Sequence, residues 1–136
     1  MTPVLFADVE LLTTGLLRTA LAARSEPYTD DVYVDIDSPT SGSTQANRPR
    51  VVTIRRDGGP RLDVARDQPR IAVNVWATTE QDCNDLARMV AALIWAMPDG
   101  APIVRVDQTS GPSTIPDDRP HKYLTFDLTL RGVDSP

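Results

Sequence analysis

Two residue types capable of reaction chemistry occur once each, His121 and Cys83. His121 is the single imidazole, and so the single side chain that ordinarily titrates near neutrality as an acid or base. It follows Pro120 at the mouth of a predicted strand. Ser110 and Ser113 are its neighbours only along the chain, so the reading is a loop histidine rather than part of a catalytic triad. Cys83 falls on the apolar stripe of a predicted helix, where it reads as a small buried hydrophobe; a reactive thiolate needs exposure and cationic neighbours. One cysteine permits no intrachain disulfide, and one histidine permits no histidine-based metal cluster. Asp35 and Asp37 open like a calcium loop, but Thr40 stands where glycine is required and Ala46 where the closing glutamate is required. Asp117-Asp118 reads as a solvated turn, and Trp76 and Trp95 as packing residues rather than ligand platforms. There is no G-x-G-x-x-G, phosphate loop, H-E-x-x-H, C-x-x-C or G-x-S-x-G. No catalytic residue, metal or cofactor is expected.

Charge narrows the partners. The 136 residues carry 14 basic and 19 acidic side chains, net −5, and every basic residue except Lys122 is arginine. A binder of phosphate backbones is normally basic, so sequence-specific nucleic-acid binding is disfavoured. The charge is segregated: residues 1–47 carry −5, residues 48–70 carry +4, and residues 71–136 carry −4. No apolar run approaches the ~18 residues of a membrane span. The amino terminus shows no basic segment followed by an apolar one, so no leader and no membrane partner are expected.

The elements that must hold these residues follow from periodicity. Residues 4–24 read as an amphipathic helix with Leu5, Val9, Leu12, Leu16 and Ala20 on its apolar stripe, widened by Leu17 and Leu21. Residues 31–36 alternate as a strand. Residues 50–66 read as a hairpin turning at Asp57-Gly58-Gly59-Pro60, with Ile54 paired to Val64, Arg56 to Leu62, and Arg55 opposite Asp63. Residues 70–77 form the strongest strand. Thr78-Thr79-Glu80 then caps a helix running to about Met97, with Cys83, Leu86, Val90 and Ile94 facing in, ended by Pro98 and Gly100. Residues 103–106 and 122–131 are strands, the last with Tyr123, Thr125, Asp127 and Thr129 facing out. The order α-β-β-β-β-α-β-β in one domain, residues 1–136, implies an α+β fold: a mostly antiparallel sheet packed against two main helices. Two stretches, 37–49 and 108–120, lack large apolar residues in all but Ile115 and read as long loops that order against a partner. The arginines of the basic block without an obvious partner in the chain are Arg48, Arg56, Arg61 and Arg66. With Asp117 and Asp118 they are the expected subunit or partner interface.

Several stretches resemble, together and in order, the tail terminator proteins of long-tailed (siphovirus-type) phages of actinobacterial hosts. They are residues 50–59 (RVVTIRRDGG), 67–77 (DQPRIAVNVWA), 79–87 (TEQDCNDLA) and 111–132, from Gly111-Pro112 through Leu128-Thr129-Leu130-Arg131-Gly132. The resemblance spans residues 4–132. It implies a small α/β domain that forms a homo-oligomer, a hexameric ring, in the tail-neck region of a virion assembled in the host cytoplasm. Such a ring caps the tail tube, ends its polymerisation and offers a surface to the head-tail connector. The major tail tube protein and the connector would then be partners, and genomic DNA would pass through without being read. Two other readings stand beside it: a different head-tail connector or neck protein, and a small enzyme, which an acid pair in a pocket at His121 would favour.

Overall fold

The computed structural model describes residues 3–39, 48–99 and 102–134. Its elements in chain order are β1 (Val4–Leu5), α1 (Val9–Ala22), β2 (Val32–Asp35), β3 (Arg50–Arg56), β4 (Arg66–Asp67), β5 (Arg70–Trp76), α2 (Glu80–Trp95), β6 (Ile103–Thr114), β7 (His121–Arg131) and β8 (Val133–Asp134). The main sheet runs β2-β3-β5-β7, with β6 on the far side of β7 and the short β4 beside its end. Only β2 and β3 are parallel; the other pairs are antiparallel. A separate two-stranded ribbon joins β1 to β8. The fold is therefore α+β, an open and mostly antiparallel sheet carrying two helices.

One hydrophobic cluster holds these layers together. Val52 and Ile54 of β3, Ile71, Val73 and Val75 of β5, and Leu124, Phe126, Leu128 and Leu130 of β7 share one sheet face. Leu17 and Leu21 of α1, and Leu86, Val90 and Ile94 of α2, close over them. At about 25 cal/mol per Å² of apolar surface removed from water, such side chains contribute about 1.5–3 kcal/mol each. α2 starts where its sequence requires: the Thr79 hydroxyl accepts from the Asp82 N–H at 3.1 Å, and Glu80 and Asp82 sit in the positive first turn.

α1 begins later than periodicity implies. The Asp8 carboxylate accepts the N–H groups of Glu10 and Leu11, which sets the helix start. Residues 4–5 are instead drawn into the ribbon with β8. The buried face is Val9, Thr13, Thr14, Leu17 and Leu21, while Leu5 and Leu16 are exposed. The two threonines tolerate burial because their hydroxyls donate to the Val9 and Glu10 carbonyls at 2.6 and 2.7 Å.

The hairpin after β3 also differs from expectation. Ile54 pairs with Val73 rather than Val64, Arg56 with Ile71 rather than Leu62, and Arg55 with Ala72 rather than Asp63. The reversal lies at Asp63, whose carboxylate accepts the N–H groups of Ala65 and Arg66 at 2.9 and 2.8 Å, the behaviour that suits aspartate to turns. Asp57-Gly58-Gly59-Pro60 is a kink within one arm. Gly59 lies there at φ +97, and an added Cβ would sit 2.2 Å from the Gln68 carbonyl oxygen. Leu62 and Val64 end up exposed near the tip.

The second long loop is mostly strand. β6 continues to Thr114 against β7, with bulges, and only residues 115–120 turn. Of the first loop, residues 40–47 lie outside the described residues, as do Thr40 and Ala46 of the calcium-loop comparison and the helix-ending Gly100. Thr125 and Thr129, expected to face out, are buried; Thr125 exchanges 2.6 Å hydrogen bonds with the hydroxyls of Thr109 and Ser110 on β6.

Candidate functional site

The singular chemical residues converge at one end of β7. His121 pairs directly across the sheet with Trp76, and their rings stack at 4.3 Å. The imidazole is only 8% exposed. Its Nδ1 lies 3.0 Å from Asp117 Oδ2 and its Nε2 lies 2.7 Å from Asn74 Oδ1. The same Asp117 oxygen accepts the Trp76 indole N–H at 2.9 Å. Burial pushes the His121 pKa down, against the opposing pull of Asp117. The Trp76 hydrogen bond, helped by the Asp118 N–H and His121, holds Asp117 below the usual carboxylate range. A neutral ring that donates Nδ1–H to Asp117 needs the Asn74 amide to turn its NH₂ toward Nε2; the imidazolium can donate to both oxygens.

His121 is thus a buried histidine with both ring nitrogens engaged, not the loop histidine read from sequence. Asn74 occupies the nitrogen that a triad base would turn toward its nucleophile. Ser110 instead bonds to Thr125. Trp76 is a member of this network rather than simple packing, and Trp95 is 49% exposed with its indole N–H donated to Gln108. Cys83 is buried, its thiol donating to the Val75 carbonyl, and burial pushes its pKa up. Among the described residues no group of three or more metal-ligating side chains converges.

The arginines expected at an interface are more engaged within the chain than their spacing suggested. Arg48 pairs with Asp31, Arg56 with Asp67, and Arg66 with Asp63. Arg61 is different: it donates to the carbonyls of Asp63 and Val64 and lies over the Phe6 ring at 4.7 Å. Carbonyls satisfy its donors without neutralising its charge. Arg50, absent from that set, bridges β3 to the start of α2 through Asp82 at 2.8 Å. Asp37 is paired with Arg55. Only the fold could reveal these pairs, because most partners come from distant sequence.

The other end of β7 carries a different surface. Leu5 and Val133, paired in the β1–β8 ribbon, are 59% and 69% exposed. Beside them lies an apolar pocket of about 440 Å³ lined by Leu5, Phe6, Pro102, Arg131 and Val133. The exposed Arg131 guanidinium has no hydrogen bond or ion pair among the described residues. The Asp63 turn adjoins this surface: the Gly132 N–H donates to the Ala65 carbonyl at 3.1 Å. Gly132 also lets β1 approach closely, since a Cβ there would come 2.3 Å from a Val4 methyl and 3.0 Å from the Leu5 carbonyl oxygen. Composition had hidden Arg131, which lies in the acidic third of the chain rather than in the basic block.

No protein-family model matches the chain, and no curated protein matches it in sequence. Among solved structures, the gp17 protein of bacteriophage SPP1 matches with a TM-score of 0.50 and 15% sequence identity, over 91% of this chain and 96% of that one. The chain therefore shares its overall fold with a bacteriophage protein.

Proposed function

We propose that the protein is a structural component of a phage virion: a tail terminator that assembles as a ring, caps the tail tube and meets the head-tail connector. The observation that carries this reading is the fold correspondence, which spans 91% of this chain and 96% of a bacteriophage protein. The ordered resemblance of residues 4–132 to tail terminators points the same way. Filled hydrogen bonding around His121 also favours a structural over a catalytic role for the one imidazole. In this reading the chain forms a hexameric homo-oligomer in the tail-neck region, with DNA passing through its channel.

In this reading Arg61, Asp117, Asp118 and Arg131 are contact residues. Arg48, Arg56 and Arg66 act mainly within their own chain, where each already meets a carboxylate. The test is a virion population lacking the protein. Tails of irregular or excess length, with heads left unjoined, are expected. Normal joined tails would overturn the reading, and binding to the connector but not to the tail-tube end would move the protein to another neck position.

A further inference from the structure

We propose that the apolar pocket at the β1–β8 ribbon receives the β6–β7 turn, residues 115–120, of a second copy of this chain. The inference rests on the ring-forming reading and specifies which surfaces meet.

The two surfaces lie at opposite ends of one strand. The turn immediately precedes His121, and Arg131 is ten residues further along β7, or ~33 Å at strand rise. They are also complementary. The pocket combines the apolar Leu5, Phe6, Pro102 and Val133 with the cation of Arg131, which has no side-chain partner among the described residues, and Arg61 stands over Phe6. The turn reads Ile115-Pro116-Asp117-Asp118-Arg119-Pro120, apolar residues followed by two carboxylates. Pro116 and Asp118 are exposed, and the Asp118 carboxylate has no partner among the described residues. Arg119 reaches back to the Pro49 carbonyl at 2.8 Å. Asp117 accepts the Trp76 indole N–H and the Asp118 backbone N–H and meets the imidazole, with no arginine or lysine against it among the described residues, so the turn keeps anionic character while its shape is held by Trp76 and His121.

Two different patches that fit each other, on opposite ends of one chain, make a heterologous contact. Repeated head to tail, such a contact closes into a ring when the rotation permits and extends into a filament when it does not. Seating Pro116 in the pocket would cover Leu5 and Val133 and bring Asp118 to Arg131. The carboxylate-guanidinium pair then sets register and speeds encounter, and its effect weakens with salt.

Two measurements on the full chain test this. In the first, Asp118→Cys and Val133→Cys chains are mixed under mild oxidation, with Cys83 buried in both. A disulfide between the two variants is expected, at several times the yield of either variant alone; equal or absent yields overturn the contact. In the second, native mass spectrometry follows assembly of Arg131→Glu, Asp118→Arg and their combination, with circular dichroism confirming that each remains folded. Each single reversal should raise the concentration for half-assembly by about tenfold at low ionic strength, and the combination should restore much of the loss. If the parent forms rings and both reversals assemble equally well, this contact is wrong while the ring stands. If no crosslink or assembly occurs, the contact is also wrong, and tail length in virions lacking the protein decides separately whether the terminator reading survives.

Discussion

The two ends of β7 are built on opposite principles. At the His121 end, Trp76, Asn74, Asp117 and the imidazole satisfy one another, and the exposed turn is fixed from beneath by hydrogen bonds to the indole and to the buried His121. At the Arg131 end, a two-stranded ribbon shows leucine and valine to solvent beside a guanidinium with no partner among the described residues. An isolated two-stranded ribbon is marginal in water, and exposed contiguous apolar residues mark contact sites. One end is held by hydrogen bonds within the chain, while the other leaves apolar side chains exposed. A polar network gives shape to a surface that docks; an apolar one gives energy to a surface that receives.

Substitutions sharpen that contrast. The largest effect is expected from Gly111→Ala, in the β6 arm that carries the His121 end. Gly111 sits at φ +90, and a Cβ would lie 2.3 Å from the Tyr123 carbonyl oxygen, so neither backbone nor neighbour can yield cheaply. Crowding plus left-handed strain should cost about 2–5 kcal/mol, read as a shifted midpoint in chemical denaturation. Gly132→Ala acts at the other end without left-handed strain. A cost of about 1–3 kcal/mol is expected. Amide exchange should quicken at Leu5 and Val133 while the His121 end remains protected; loss of protection at both ends would show that the ribbon and the network are one unit.

Replacing His121 by leucine should cost about 1–3 kcal/mol, because Asn74 and Asp117 lose a buried partner. The histidine also predicts a pH dependence. Its folded pKa is lowered, so the unfolded chain takes up the proton first, near the ordinary value of about 6.5. Its contribution is complete above that pH and declines as pH falls toward the folded pKa. Asp117, also lowered, contributes above about 3.8 and is lost as pH falls through its folded value. Denaturation midpoints measured from pH 7.5 to 5 should therefore decline in the parent and flatten in His121→Leu; parallel curves would contradict the assignment. The smallest effect is expected for Arg131→Gln. With no side-chain partner among the described residues it should leave stability within about 0.5 kcal/mol, so any large change in its assembly belongs to a contact between copies.

Sequence alone determined the α+β class, the capped α2, the core stripes of β5 and β7, and the burial of Cys83. These follow from local signals: Thr79 ahead of two acids, and apolar residues every second or every third to fourth position. Tertiary structure decided the rest. Val64 and Val73 offer Ile54 similar side chains, and nearness along the chain favours Val64. Val73 takes the position because it belongs to Ile71-Val73-Val75, which meets β3 on one side and β7 on the other. Val64 has no such second neighbour and stays 69% exposed. Likewise, 108–114 is polar enough to read as a loop, yet β7 supplies a template whose backbone needs a partner along that edge. The placing of Asn74 and Trp76 against His121 and Asp117 depends on residues brought together from distant parts of the chain. Periodicity records which face of an element is apolar, but the partner that face meets is set by closing the whole core.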